Sequence, residues 1–162
     1  MRKKNMAILS CLAIGALFVS PLNALSSNDT AFYLNAGAIA DDSFKTFWWQ
    51  TGAMLDLSVG RNLLLTPEVM FIGYKFDFKE LYLYPGATIN VTFGDSVNTF
   101  FLGGGGLLYF RLKPKDGDRE LLLKFHGGII RNNIKVTAFF YTFTKEQIFK
   151  YNYLGLNIGF GL

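Results

Sequence analysis

The stretch Leu154-Gly155-Leu156-Asn157-Ile158-Gly159-Phe160-Gly161-Leu162 alternates without a break. Leu154, Leu156, Ile158, Phe160 and Leu162 are apolar, and the residues between them are small or polar. Successive side chains of a β-strand point to opposite faces, so this is a strand with one greasy face and one small, polar face. The unpaired edge of such a strand invites aggregation. A closed barrel removes that edge by pairing the last strand with the first, and the segment is therefore predicted to be a closing strand.

The same two-residue period recurs upstream. It predicts strands over Thr30–Ala40, Phe47–Gly60, Leu63–Tyr74, Leu81–Phe93, Thr99–Phe110, Leu121–Arg131 and Ile134–Phe143. In Phe47–Gly60, for example, Phe47, Trp49, Ala53, Leu55, Leu57 and Val59 share one face, and Gln50, Gly52, Asp56 and Ser58 share the other. No segment shows a sustained 3.6-residue period with caps, so no helix is expected in this region. The connections alternate in length. Arg61-Asn62, Gly94–Asn98 and Arg131–Asn133 are short and turn-rich, whereas Asp41–Thr46, Lys75–Glu80, Arg111–Glu120 and Thr144–Lys150 are longer and carry most of the charge. Short turns at one end and longer loops at the other are the pattern of an outer-membrane barrel.

The N-terminus is of another kind. Arg2, Lys3 and Lys4 precede an uncharged, mostly apolar run from Met6 to Val19, which is shorter than the roughly 20 residues a membrane-spanning helix needs. A basic start, a short apolar run and a small-residue end make residues 1–26 a predicted signal peptide, cleaved after Ala24 or Ser26, with residues 27–162 as the barrel domain. Cys11, the single cysteine, lies inside the apolar run, so the mature chain has none for a disulfide or a metal site. Removing the leader leaves 13 basic against 12 acidic residues. The high isoelectric point thus belongs mainly to the leader, and with no basic patch interleaved by aromatics the sequence does not point to nucleic acid.

A soluble barrel also alternates, but its outer face is wet and normally rich in Lys and Glu. Here the polar faces hold Gly, Tyr, Thr and Asn with few charges, as suits a small crowded interior. The strand ends carry aromatics. Phe47, Trp48, Trp49, Phe71 and Phe110 fall at the loop end, together with Tyr74, Tyr109, Tyr141 and Phe143. Phe93, Phe100, Phe101 and Phe160 fall at the turn end. Aromatic belts around an aliphatic middle suit a membrane with two polar interfaces, and the predicted belt is Phe47, Trp48, Trp49, Phe71, Phe93, Phe100 and Phe110.

Asp56, Glu68, Lys124, His126 and Lys135 fall on the predicted inner face. Eight strands enclose a lumen just wide enough for side chains to fill, and charges there must pair or suffer costly desolvation. The five are expected to form a polar network that, with tyrosines, plugs the lumen; the alternative is a gate in a narrow ion path. A lipid-modifying enzyme would need a nucleophile beside a histidine with an orienting acid. His126 is the single histidine and no serine lies near it in its strand, so no catalytic residue is assigned. Gly103–Gly106 lacks the following Lys-Ser/Thr and the helix of a phosphate-binding loop, and is expected instead to make room for bulky neighbours such as lumen tyrosines or to let the strand curve. No spacing suits a metal, and no cofactor is expected.

The leader, the eight alternating strands and the loop–turn rhythm resemble the small outer-membrane β-barrels of OmpA-transmembrane and OmpX type. Leu65-Thr66-Pro67-Glu68-Val69 and Leu83-Tyr84-Pro85-Gly86-Ala87 are similar to strands of the porin-family outer-membrane β-barrel group. Members usually end on an aromatic assembly signal; here the last residue is Leu162, with Phe160 before it in the alternation. The resemblance implies an all-β, eight-stranded antiparallel up-and-down transmembrane barrel in a bacterial outer membrane. It implies a structural or surface-interaction role, with a narrow channel for ions or small solutes as the alternative and a lipid-modifying enzyme behind both. The implied partners are outer-membrane lipids, periplasmic chaperones, the barrel assembly machinery and an extracellular ligand of unspecified kind.

Overall fold

The computed structural model describes residues 30–74, 77–95, 97–111, 119–144 and 152–162. The predicted leader and both of its cleavage positions lie outside these residues. Eight antiparallel strands follow one another around a closed barrel: β1 (Thr30–Asp41), β2 (Phe47–Gly60), β3 (Leu63–Tyr74), β4 (Asp77–Gly94), β5 (Thr99–Arg111), β6 (Arg119–Arg131), β7 (Ile134–Phe143) and β8 (Asn152–Gly161). The alternating C-terminal segment closes it. On β8, Ile158 pairs with Ala36 of β1 on one side and with Val136 of β7 on the other. Leu162 lies past the strand, and its N–H still donates to the Phe32 carbonyl at 3.0 Å.

Three predicted strand starts move by two residues or more, that of β8 among them, which begins at Asn152 rather than Leu154. β4 starts at Asp77 rather than Leu81, and Asp77 pairs with Tyr74 beyond a register shift at Gly73. Residues 77–80 of the expected loop Lys75–Glu80 therefore belong to β4, and residues 75 and 76 lie outside the described residues. Asp77, Lys79 and Glu80 break the apolar alternation that marks a strand in sequence. β6 likewise starts at Arg119, inside the expected Arg111–Glu120 loop.

The turns follow from local chemistry. Asn132 and Asn133 both adopt left-handed backbone, with φ of 47° and 63°, between the paired residues Arg131 and Ile134. Asparagine tolerates this region, and two such residues give the turn whose twist matches that of the flanking strands. Pro67 and Pro85 have no N–H to donate, and the ladders lapse beside them, between Met54 and Leu57 and between Leu83 and Gly86, without a change of register. Between β4 and β5, Asp95 Oδ1 accepts from the N–H of Val97 at 2.8 Å and of Asn98 at 2.7 Å.

Those two bonds, that from Asn98 first, hold the exposed Asp95 carboxyl below the usual carboxylate range. A group depressed in the folded state stabilises fully above its unfolded value, and that stability is lost as pH falls through the folded value. The urea midpoints of wild type and Asp95→Ala are therefore expected to converge as pH is lowered from about 7 to about 3. A gap that does not narrow would show that the carboxylate does not hold this turn.

Candidate functional site

Strand alternation sorts the chain into an outer and an inner face. The outer face exposes aliphatic and aromatic side chains, among them Leu34, Ile89, Val91, Leu102, Leu108, Leu121 and Phe125. Leu154, Leu156, Ile158, Phe160 and Leu162 of the closing strand are all exposed there, by 41 to 82%. Phe47, Phe93 and Phe100 are also exposed, and the last two stack at 5.8 Å near the turn end. Trp49, Phe71 and Phe110 lie on outward positions and are half-buried.

Trp48 is a correction to the predicted belt. It shares the parity of Gln50 and Gly52 and turns inward, with its ring 6.2 Å from Tyr74 and 5.4 Å from Tyr153. Tyr109, Tyr141 and Phe143 also lie inside the barrel, so the loop-end aromatics divide between an outer belt and an inner cluster, and at the turn end Phe101 turns inward as well.

The inner face has two levels. Toward the turn end it is ionic. Lys124 Nζ donates to both carboxylate oxygens of Glu68, at 2.8 and 2.6 Å, and Lys135 Nζ does the same to Asp56 at the same two distances. All four side chains are buried. The first pair joins β6 to β3 and the second joins β7 to β2, so both cross the lumen. Thr66 donates to Asp56 at 2.7 Å, Asn90 Nδ2 donates to Thr66 at 2.8 Å, and the Asn90 side-chain oxygen meets His126 Nε2. Lys135, Asp56, Thr66, Asn90 and His126 thus form one connected path over five strands. Gln50 Nε2 on β2 donates to Asn157 Oδ1 on the closing strand, over the intervening β1. Ring faces of Phe101 and Tyr33 stand 4.7 and 5.3 Å from Lys135 Nζ, and that of Phe139 stands 5.7 Å from Lys124 Nζ.

The five ionisable residues singled out in the sequence therefore all lie inside and are drawn into bonds. Thr66, Asn90, Gln50 and Asn157 complete the arrangement. Their inward parity is readable in sequence, but their partners are not. Gly103 and Gly105 also face inward. A Cβ at Gly103 would stand 2.9 Å from the Asn90 Cα, and one at Gly105 would stand 2.7 Å from the Thr88 Cα. The glycine run thus makes room for Asn90 and for close approach of β4, rather than for the tyrosines.

Toward the loop end the interior is apolar and aromatic. Met70, Leu107, Leu122, Ile39, Ile72, Tyr84, Phe139 and Tyr141 form a buried cluster, with Trp48, Tyr82, Tyr109, Phe143 and Tyr153 packed on it. A cavity of about 140 Å³ lies among these side chains. Its more deeply buried walls are Ile39, Ile72, Leu122, Tyr84 and Tyr141, and Trp48, Tyr82, Tyr109, Phe143 and Tyr153 surround the rest. Among the described residues no group of three His, Cys, Asp or Glu side chains comes together as a metal site.

No protein-family model and no curated protein matches the chain. Solved structures do. The N-terminal β-barrel domain of Pseudomonas aeruginosa OprF superimposes with a TM-score of 0.53 at 12% identity, over 82% of this chain and 97% of that one. Neisserial surface protein A gives 0.51 at 8% identity, over 81% and 94%. A de novo designed transmembrane β-barrel gives 0.51 at 8%, over 82% and 95%. At such identities the likeness is one of fold. The chain folds as the small eight-stranded transmembrane barrels do, which is the architecture implied by its resemblance to the OmpA-transmembrane and OmpX type.

Proposed function

We propose that the chain is an integral outer-membrane β-barrel protein with a structural or surface-interaction role and a lumen closed by its own side chains. The observation that carries this reading is the pair of buried ion pairs, Glu68–Lys124 and Asp56–Lys135, crossing the interior beneath a packed aromatic cluster. A hydrated ion passing this level would have to separate charges bonded at 2.6 Å. The exposed apolar outer face suits contact with outer-membrane lipid, to which periplasmic chaperones and the barrel assembly machinery would deliver the chain. A non-enzymatic role is supported by the surroundings of His126, whose Nε2 meets Asn90 and whose ring packs at 5.8 Å from Phe101.

Planar-bilayer recording on the refolded barrel tests the closed lumen. Wild type is expected to give no conductance steps above the bare membrane. Stable ohmic steps, altered in height by Lys135→Ala, would overturn the reading in favour of a narrow channel.

A further inference from the structure

We propose that the cavity at the loop end of the lumen is a binding site for a small neutral aromatic molecule carrying one hydrogen-bonding group, of the phenol class. The ion-pair level closes the lumen; the cavity lies on its loop side and needs no open pore.

Size sets the first limit. The cavity measures about 140 Å³. An apolar cavity of about 150 Å³ accepts a benzene-sized ring. One ring fits within that volume. Charge sets the second. None of the residues lining the cavity carries a charge at neutral pH; of the inward carboxylates on this side, Glu68 is engaged on both oxygens by Lys124, and Glu120, on the parity of Leu122 and opposite Tyr109, adds a negative charge near the rim. An anionic ligand would leave water without a counter-charge, which is costly.

Polarity sets the third. Ile39, Ile72 and Leu122 offer no hydrogen bond and would strip a pyranose of several. Five tyrosines line the cavity, and the buried hydroxyl of one of them is unpartnered. The Tyr141 side chain lines the cavity, is 1% exposed, and its hydroxyl has no hydrogen-bond partner among the described residues. Such a group is paired in nearly all folded proteins, so a ligand hydroxyl would supply what the chain does not. Ring faces complete the site. Tyr84 and Tyr141 stand nearly parallel, 11° apart with centroids at 6.3 Å, and Tyr109 meets Tyr84 edge-on at 5.5 Å. Aromatic pairs favour such offset and edge-on geometries, which an entering ring can extend.

The test uses isoleucine methyl spectra of the full mature chain refolded in detergent micelles, titrated separately with p-cresol, toluene and methyl glucoside. Ile39 and Ile72 report on the cavity, while Ile89 and Ile158 on the outer face report on partition into detergent. p-Cresol is expected to shift the Ile39 and Ile72 methyls to saturation, while those of Ile89 and Ile158 drift at most linearly. Tyr141→Phe should weaken p-cresol about three- to tenfold, the worth of one hydrogen bond, and leave toluene unchanged. Leu122→Trp, which fills the cavity, should abolish the saturable shift; if it does not fold, Tyr141→Phe carries the comparison. Parallel, unsaturable drift of all four methyls would overturn the site, as would saturation by methyl glucoside in place of p-cresol. Equal weakening of p-cresol and toluene by Tyr141→Phe would overturn the role of the hydroxyl.

Discussion

Glu68→Ala is expected to destabilise the barrel by about 3–5 kcal/mol, because it leaves the Lys124 ammonium buried without its partner. Lys124 Nζ is bonded to both Glu68 oxygens, and neither side chain has more than 1% of its surface exposed. The remaining neighbours cannot replace a carboxylate. The Phe139 and Tyr141 rings stand 5.7 and 5.9 Å from Nζ, at the outer limit of cation–π attraction, which contributes about 0.5–2 kcal/mol. Removing both charges tells a different story. Glu68→Leu with Lys124→Met swaps a buried pair for apolar groups of similar size and is expected to be near neutral or stabilising by about 1–4 kcal/mol. The double variant should therefore be far more stable than the single one when unfolding is followed by urea titration in lipid vesicles. A single-variant cost under about 1 kcal/mol, the range of a solvated ion pair, would mean that water fills this level of the lumen. The closed-lumen reading would fall with it.

This contrast separates what the sequence shows from what it hides. Period-two alternation is a local property, and it sends Asp56, Glu68, Lys124, His126 and Lys135 inward without knowledge of any neighbour. It places Thr66, Asn90 and Asn157 there as well. Pairing is not local. Lys135 reaches Asp56 across 79 positions of chain, and Gln50 reaches Asn157 across 107. Which residues meet across a lumen depends on the tilt and stagger of all eight strands at once, and that is set by how the barrel closes.

Aromatic residues were the less legible class for a related reason. A tyrosine or tryptophan near a strand end suits both a membrane interface and a packed interior. Parity decides between them, and Trp48, flanked by Phe47 and Trp49 in an unbroken aromatic triplet, hides its parity until it is counted from Gln50. The inner aromatic cluster and its cavity follow from that count carried over β2, β4, β5, β7 and β8. Composition alone would have assigned the same rings to the belt. β4 shows the opposite failure, since its first residues are charged and the strand continues where the apolar signal stops.

Arginine placed along the outer face of β8 is expected to cost stability according to depth. Leu156 lies near the middle of Asn152–Gly161 and pairs with Ala38 and Ala138, whereas Leu162 lies past the strand end beyond Phe160. Successive outward residues on a tilted strand differ in height by about 5 Å. The apolar band of an outer-membrane barrel is about 25 Å tall, so three such steps carry a side chain from the middle of the band to its rim. Leu156→Arg should then cost about 2–4 kcal/mol and Leu162→Arg about 0–1 kcal/mol, with Ile158→Arg between them. The measurement is reversible unfolding of the three variants in vesicles of one lipid composition. A water-facing barrel predicts something else, because an exposed arginine on a solvated surface changes stability by less than about 0.5 kcal/mol at any height. Three equal and small costs would therefore remove the membrane from the reading while leaving the closed barrel intact. A graded series would tie the alternation of the closing strand to lipid itself, and the step from Leu156 to Ile158 is the decisive one, since those two share strand and parity and differ in depth, whereas Leu162 also lies past the strand end.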